Sequence, residues 1–456
     1  MAGLSGVARA QSCENARPTE PGATKGLSYG NAELSYYDSA SGRVRVHFAL
    51  SGTHAPPAVS TLEPDFPDAV VIAAQAADSA LDKYAELGYR VPLGDGDSPC
   101  SSNGDSDAID IYLIQFAGAD GQITLDHCEA GSPKRCAGFA LVENDFRGGP
   151  YADVAEGLRT VVPHELFHLV QDSYDADVER WWAEGSAQWA AKQVFPELLD
   201  LQRFLPAYFD NPWRPLNVPP SGVVTSFLYA TAIWPVFLEQ RHDASLVREV
   251  YDGLGQSGDD VLPTTDRVLA AHGSSLSRDF LQFAAFNAAT GSRAPESGGY
   301  LDAAGYPEVD FEALAQTRGE LASDVMSGMG AFYYSLTASE PTELSLDADA
   351  TRVAALLAPI HDGKVALDAA QPLPATLDGE GVVIVAGQSL ARTDAPFVLR
   401  GAAPSSGAGG PGTSSGCSVA RVTPQVAPGS GVLLGFVVIL SRRRRARRRA
   451  PRKRSS

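Results

Sequence analysis

Hydrophobic and polar positions repeat with different periods in successive parts of the chain. Residues 43–48 (RVRVHF) place apolar and polar side chains on opposite faces, which predicts a half-buried β-strand. Residues 67–87 carry an apolar stripe at helical spacing, and Gly88 follows where helices commonly end. The first part of the chain is therefore predicted to combine a sheet with a helix. Two further strands are predicted at residues 109–116 and 138–145.

The pattern becomes helical from Thr160 to about Ala289 and changes again beyond Gly305. Segments such as LSRDFLQFAAFNAATG repeat apolar residues at helical spacing, and Pro235 is expected to bend or end its helix. Beyond Gly305, short apolar runs such as GVVIVAG and PFVLRGA are separated by Gly, Pro, Asp and Ser. These runs predict a small all-β module of the sandwich type. The chain as a whole is predicted to belong to the α+β class.

A chain of 456 residues is long enough for two or three domains. The change of pattern near residue 300 marks a predicted boundary between a mixed domain and the β module. The stretch AAPSSGAGGPGTSSG has the composition of a flexible linker. The predicted organisation is a residual signal or pro-segment at 1–25, a first domain at 26–300, the β module at 301–401, the linker at 402–416 and a tail at 417–456.

The charges are distributed very unevenly along the chain. The net charge is −19, yet the last fifteen residues, from Arg442 onward, carry ten basic side chains and no acidic one, so the rest carries about −29. A body with this charge repels nucleic acid and anionic membrane surfaces. We therefore expect no nucleic-acid partner, and the acidity suits a soluble exported protein.

The cysteines and the N-terminus also indicate export. The sequence CEAGSPKRC predicts a local disulfide between Cys128 and Cys136, and Cys13 with Cys100 is a candidate second pair; free buried thiols are the alternative. Ala8-Arg9-Ala10 fits the small-x-small rule of a signal-peptide cleavage site, although no apolar segment of sufficient length precedes it. The printed start is therefore expected to lie inside a longer precursor.

Residues 160–171 (TVVPHELFHLVQ) contain the strongest chemical signal. His164 and His168 are four residues apart, so on a helix both imidazoles lie on one face and can bind one Zn²⁺. Glu165 projects beside that face, where a carboxylate can take a proton from water and pass it to a leaving amine. We expect Thr160 to cap this helix and Pro163 to fall in its first turn. The alternative is a buried helix that has this spacing by chance.

A third ligand is predicted in a second helix, ERWWAEGSAQWAAKQ, which follows the turn DADVE and stops at Pro196. Glu184 lies early in this helix, sixteen residues after His168. The short connection makes the two helices antiparallel neighbours, so Glu184 can face both histidines and complete a His₂Glu zinc site with one open position. The alternative is a surface glutamate beside exposed tryptophans.

HELFH followed by WWAEGSAQW resembles the gluzincin zinc metallopeptidases, whose third ligand lies in a Glu-Gly-x-Ala context on the next helix. With VHFALSG, LGYRVPLGD, DIYLIQF and FAAFNAATGSR, these motifs also resemble a proposed family of secreted metalloproteases of myxobacteria, over roughly residues 40 to 295. The resemblance implies a zincin-like fold, one catalytic Zn²⁺ and metalloendopeptidase activity on peptides or proteins. Pro163 stands where the family usually has a small residue, which is expected to shift the helix start rather than the ligands.

The resemblance also suggests supporting residues. Related enzymes stabilise the oxyanion with a downstream Tyr or His, which makes Tyr229 the expected catalytic partner and His242 and His272 its rivals. Gluzincins often have a carboxylate four residues after the ligand glutamate to orient a histidine, and this chain has Gln188 there. Asp172, one turn beyond the second histidine, is an alternative partner, and a solvated aspartate at the helix end is equally compatible with the sequence.

The tail resembles the myxobacterial C-terminal sorting signal (MYXO-CTERM), with Gly416-Cys417, the short apolar span VAPGSGVLLGFVVIL and the arginine cluster. This apolar span is shorter than the ~20 residues of a usual membrane helix. The resemblance implies that a sorting protease acts near Cys417 and that the C-terminal segment holds the protein in the membrane before processing. We therefore expect a secreted protein retained at the cell surface, in the outer membrane or outside it.

Two functional hypotheses follow from these expectations. The first is a zinc-dependent peptidase that hydrolyses peptide bonds with metal-activated water and a Glu165 general base. The second is a surface adhesin or binding protein on a non-catalytic metallopeptidase scaffold, because β modules often bind partners. Glu165 favours the enzyme, since a purely structural zinc site needs no general base.

Overall fold

The structure, a computed structural model, describes residues 15–404 except 21, 25, 95, 97–103, 105, 117, 222–225, 391 and 392. Within these residues the fold is of the mixed α+β class, as predicted, and contains two sheets and several helices. None of these helices has the length and apolar character that a membrane span requires. The predicted Cys13–Cys100 pair, nearly all of the linker and the tail with Cys417 lie outside the described residues.

The first sheet contains five strands, β1 (Leu34–Asp38), β2 (Val44–Ala49), β3 (Ile109–Ile114), β4 (Gly121–Cys128) and β5 (Cys136–Glu143). Their order is β1-β2-β3-β5-β4; β2, β3 and β5 run parallel, whereas β1 and β4 are antiparallel edges. The three strands predicted from sequence are confirmed. So is the local disulfide, which joins the ends of β4 and β5 at Cys128 and Cys136.

Two long helices, α1 (Asp68–Glu86) and α2 (Val154–Asp172), pack on one face of this sheet and share its hydrophobic cluster. The prediction of α1 is confirmed at both ends. Gly88 follows its C-cap with a φ of +81°, a conformation that glycine adopts without the strain a Cβ would cause.

The opposite face of the sheet is covered by the N-terminal segment, so β2 is buried on both faces and not on one only. The Arg17 guanidinium is fully buried, donates a hydrogen bond to Asp126 Oδ2 over 2.8 Å and pairs with Asp110. His47, on the polar face of β2, contacts Asp110 Oδ1 over 2.7 Å. The described part of the segment 1–25 therefore packs against the sheet and is part of the folded domain.

Between the two sheets lies a helical region. Its helices are α3 (Arg180–Val194), α4 (Asp200–Phe204), α5 (Pro206–Phe209), α6 (Ser226–Ala230), α7 (Ile233–Arg241), α8 (Ala244–Ser257), α9 (Val261–Ala271) and α10 (Leu276–Ala288). The helical stretch around Pro235 is interrupted at Thr231 and Ala232, one turn before the proline, which agrees with the expectation because Pro235 cannot donate to the Thr231 carbonyl. At this break Thr231 Oγ1 binds the Trp181 and Leu228 carbonyls (2.6 Å each). Pro235 itself lies in the first turn of α7.

The C-terminal strands form one continuous antiparallel sheet rather than the two sheets of the predicted sandwich. The strands are β6 (Glu312–Ala313), β7 (Gly319–Ser327), β8 (Ala331–Ala348), β9 (Val353–His361), β10 (Lys364–Val365), β11 (Gln371–Pro372), β12 (Ala375–Gly387) and β13 (Asp394–Ala402). Their order is β10-β9-β12-β8-β13-β7, with β11 on β9 and a short parallel β6 on β8.

The long strand β8 explains this difference. It contains the run AFYYSLTA and all but the last residue of TELSLDAD, whose pattern predicts two separate strands. It pairs with β12 along most of its length and with β13 near its end. The sheet curves around a hydrophobic cluster that includes Met326, Tyr334, Leu357 and Phe397 from strands across its width. Alternate residues of β8, β9 and β12 face the helical region and join its cluster, so one hydrophobic core includes residues on both sides of position 300.

Candidate metal centre

Helix α2, which carries both histidines of the motif, begins earlier than predicted. Asp153 is its N-cap and accepts a hydrogen bond from the Glu156 N–H, while the Glu156 carboxylate accepts one from the Ala152 N–H (2.8 Å each). This reciprocal cap satisfies two free N–H groups. The prediction that Thr160 caps the helix and that Pro163 lies in its first turn was therefore wrong.

Pro163 lies in the interior of α2, where it donates no hydrogen bond to the carbonyl one turn earlier. Its own carbonyl accepts a hydrogen bond from the buried Tyr84 hydroxyl of α1 (2.7 Å). The helix continues through the proline because its residues pack against both the sheet and α1. The helical spacing of the two histidines is preserved.

Three potential ligand atoms meet at His164, His168 and Glu184. The two histidine Nε2 atoms are 3.1 Å apart, and Glu184 Oε2 lies 3.4 Å from His164 Nε2 and 3.5 Å from His168 Nε2. Ligands at about 2.0–2.1 Å from a tetrahedral zinc ion are separated by about 3.3–3.4 Å. The three atoms therefore have the spacing of three corners of such a tetrahedron. Among the described residues, this is the one group of His, Cys, Asp or Glu whose ligand atoms converge in this way.

Close packing of α3 brings Glu184 to the histidines. A Cβ on the neighbouring Gly185 would lie 2.4 Å from Thr231 Oγ1, so only glycine allows this approach to the chain before α7. Trp182 and Trp189 are fully buried, and Glu184 is 14 % exposed. The alternative of a surface glutamate beside exposed tryptophans is thus wrong.

The charges in this group compensate one another. Burial alone would raise the pKa of Glu184, but the hydrogen bonds from the two histidine rings hold it well below its usual range. Burial would lower the pKa of His168, yet contacts with Glu184 and Glu165 raise it to about 9. A cation is therefore favoured at this point, whether it is a proton or a metal ion.

Gln171 orients the second histidine. Its Nε2 donates to the Ala183 carbonyl of α3 over 2.8 Å, which directs its Oε1 toward His168 Nδ1, also at 2.8 Å. Nδ1 must then carry a proton, so Nε2 is the nitrogen that can bind a metal in place of its own proton. The sequence analysis missed Gln171, although its position three residues after His168 places both on one face of α2.

The two residues expected to orient a histidine take other roles. Gln188 donates to the buried Asp200 carboxylate over 2.7 Å. Asp172 is also buried, with an exposed fraction of 8 %, so the alternative of a solvated helix-end aspartate is wrong. Its Oδ2 atom has no hydrogen-bond partner among the described residues, and Gln171 rather than Asp172 contacts His168.

Tyr229 of α6 lies at the group, as expected. Its ring centroid is 5.6 Å from that of His164, and it stacks on Phe204 of α4 at 4.7 Å. Burial raises the pKa of its hydroxyl, so it remains a proton donor at neutral pH. The rivals His242 and His272 are not brought to the group and pair instead with Asp279 and Glu249.

Glu165 faces the same space from α2. No hydrogen bond joins its carboxylate to another described residue, and burial raises its pKa while the two histidines oppose this. A Cβ on Gly121 of β4 would lie 2.6 Å from Glu165 Oε1 and 2.6 Å from Val161 Cγ1. Gly121 therefore leaves room for the glutamate against the edge strand.

These residues line a cleft of about 340 Å³ that runs between β4, α2, α3 and Tyr229. Comparison with protein-family models and with curated proteins found no match for the chain. The resemblance to gluzincin metallopeptidases and to the myxobacterial sorting signal therefore stays a prediction.

Proposed function

We propose that the chain is a zinc-dependent peptidase that is exported and retained at the cell surface. The observation that carries this proposal is the convergence of His164, His168 and Glu184 at tetrahedral spacing, with a second carboxylate, Glu165, free beside them. Three protein ligands with one open position are typical of catalytic rather than structural zinc.

A zinc ion held there would act as a Lewis acid and lower the pKa of bound water toward about 7. Glu165 would accept a proton from the attacking water and deliver it to the leaving amine, so that the proton taken from water ends on the product amine. The Tyr229 hydroxyl would donate a hydrogen bond to the oxygen of the scissile carbonyl as it gains charge. Gln171 keeps His168 in the tautomer that binds metal.

The edge strand β4 suits an extended peptide substrate. Among the described residues it pairs only with β5, and Gly121, Gln122 and Ile123 line the cleft beside Glu165. A peptide can add to such an edge through main-chain hydrogen bonds that require no particular sequence. This placement supports cleavage within a chain, as a metalloendopeptidase performs it.

The carboxylate of Glu165 also favours the enzyme over a surface adhesin. This carboxylate faces the ligand group from the wall of the cleft and forms no hydrogen bond with another described residue, so it is available to water beside the metal. A structural zinc site needs no such base, and the curved C-terminal sheet supplies no observation that favours an adhesin.

The disulfide between Cys128 and Cys136 supports an oxidising compartment and hence export. Retention through the tail, with processing near Cys417 by a sorting protease, rests on the sequence. Mass spectrometry of the mature protein tests it, since a C-terminus beyond the arginine cluster would contradict processing.

The peptidase proposal is tested with the full chain and its Glu165→Gln variant. The wild type is expected to hold about one zinc ion and to cleave casein, while Glu165→Gln keeps the zinc and loses activity by about 10²–10⁴-fold. Glu197→Gln, at an exposed glutamate, is the matched control. Full activity of Glu165→Gln, or no cleavage by zinc-loaded wild type of casein and a peptide library, would overturn the proposal.

A further inference from the structure

A second buried acid in the cleft has no task in the proposed chemistry. Asp172 is the last residue of α2, four residues after His168 and therefore about 6 Å farther along the helix axis. Its side chain lines the cleft, it is 8 % exposed, and its Oδ2 atom has no hydrogen-bond partner among the described residues. An unpaired buried carboxylate is costly and requires a cation or donor from outside.

The arginines near this end of α2 are already engaged. Arg135 donates to the Ser173 carbonyl over 3.0 Å and pairs with Glu129, while Arg90 donates to the same carbonyl and lies over the Tyr174 ring. Neither forms an ion pair with Asp172, and neither does the neighbouring Lys134 within the described part of the chain. No described residue therefore forms an ion pair with this carboxylate, although His168 and Lys134 lie near enough to oppose the rise of its pKa.

The surroundings suit a long basic side chain. Ala176 and Val178 line the cleft next to Asp172 and offer apolar surface to an aliphatic stem. Asp175 lines both this cleft and an adjoining one whose wall includes Asp177 and other acidic side chains.

We propose that Asp172 binds the side-chain cation of a lysine or arginine of the substrate, close to the bond that is cleaved. The proposal rests on the peptidase function and names its substrate class, peptides and proteins with basic residues near the scissile bond. Asp172 is then the specificity-determining residue at this end of the cleft, and Asp175 lies next to it along the acidic wall.

The test separates binding from catalysis. Fluorescent peptides carry arginine, citrulline or glutamate at each position around an Ala-Ala bond, and their dissociation constants are measured on zinc-loaded full-length Glu165→Gln protein. At one position arginine is expected to bind at least about tenfold more tightly than citrulline, because citrulline keeps the shape and loses the charge. Adding Asp172→Asn should abolish this ratio, Asp172→Arg should favour glutamate, and Asp210→Asn, at an exposed acid, should leave it unchanged.

Equal binding of arginine and citrulline peptides, or a preference that survives Asp172→Asn, would overturn the inference. Cleavage of the same peptides by protein with native Glu165 is scored separately. Cleavage without a basic preference refutes the inference and leaves the peptidase proposal intact. A basic preference in binding without any cleavage refutes the peptidase proposal and retains Asp172 as a cation-binding residue.

Discussion

Two groups of histidines and carboxylates in this protein have similar composition and different geometry. In the candidate metal centre, three ligand atoms lie 3.1 to 3.5 Å from one another. In the second group, His242 pairs with Asp279 over 2.8 Å and His272 with Glu249 over 2.7 Å, and the two rings are 6.2 Å apart. Each of these histidines has a carboxylate of its own, and the described atoms do not converge on one point.

The difference comes from where the histidines lie in their helices. His242 and His272 are the C-caps of α7 and α9, where a histidine meets the negative end of the helix. His164 and His168 lie inside one helix at the spacing that aligns their rings. The presence of histidines near acids therefore says little about metal; the convergence of their atoms is what distinguishes the two groups.

Replacing one carboxylate in each group should give the largest difference in zinc affinity between two variants. Glu184→Gln is expected to weaken zinc binding by more than about a hundredfold, because loss of a direct ligand must exceed the 10–100-fold typical of residues that orient ligands. Glu249→Gln should leave the affinity unchanged. Titration with zinc against a competing chelator measures both, and equal losses would show that the comparison is wrong.

The second group should instead determine stability. His242→Ala leaves the fully buried Asp279 without its partner and should lower the free energy of unfolding by about 2–4 kcal/mol. His272→Ala breaks a pair in which both side chains are about one third exposed, and should cost less than about 1 kcal/mol. Urea unfolding tests the pair of variants; a larger effect for His272→Ala would contradict this.

Gln171 should affect zinc affinity in the first group through the orientation of His168. Gln171→Leu removes the hydrogen bond that fixes the His168 tautomer and should weaken zinc binding by about 10–100-fold. Gln193→Leu is the matched control, since Gln193 donates to Glu239 outside the cleft. Zinc affinity that is equal in the two variants would remove Gln171 from the centre.

Asp172 belongs to neither group, and its effect on stability should depend on pH. Burial raises its pKa to about 7, above the ~3.9 of an unfolded chain, so the folded state binds the proton more tightly and loses stability as the pH rises through this range. The stability advantage of Asp172→Asn over wild type, without metal, should therefore grow by about 2–3 kcal/mol between pH 5 and pH 8. A constant difference across this range would contradict the burial argument.

Local signals predicted much of the centre. A helix aligns residues that are four apart, and a short connection keeps two helices adjacent. The spacing of the two histidines and the short connection to α3 were therefore sufficient to predict that Glu184 lies beside them. The early start of α2 was also encoded locally, as Asp153 and Glu156 form the pattern of a capping box.

Other features depend on contacts between distant parts of the chain. Arg17 is buried against Asp110 and Asp126, 93 and 109 residues away, and no pattern near Arg17 indicates this. The pairing of β8 with both β12 and β13, which turns a predicted sandwich into one curved sheet, depends on strand order, which short apolar runs do not specify. Nor does spacing reveal that Asp172 is left without a partner.

We expect the group at His164, His168 and Glu184 to bind zinc and the group at His242 and His272 not to bind it. The most direct test is the zinc content per folded chain of wild type, His168→Ala and His272→Ala after equilibration with zinc and removal of the unbound metal. We expect about one zinc ion per chain in wild type, none in His168→Ala and about one in His272→Ala. Zinc retained by His168→Ala, or lost from folded His272→Ala, would contradict it.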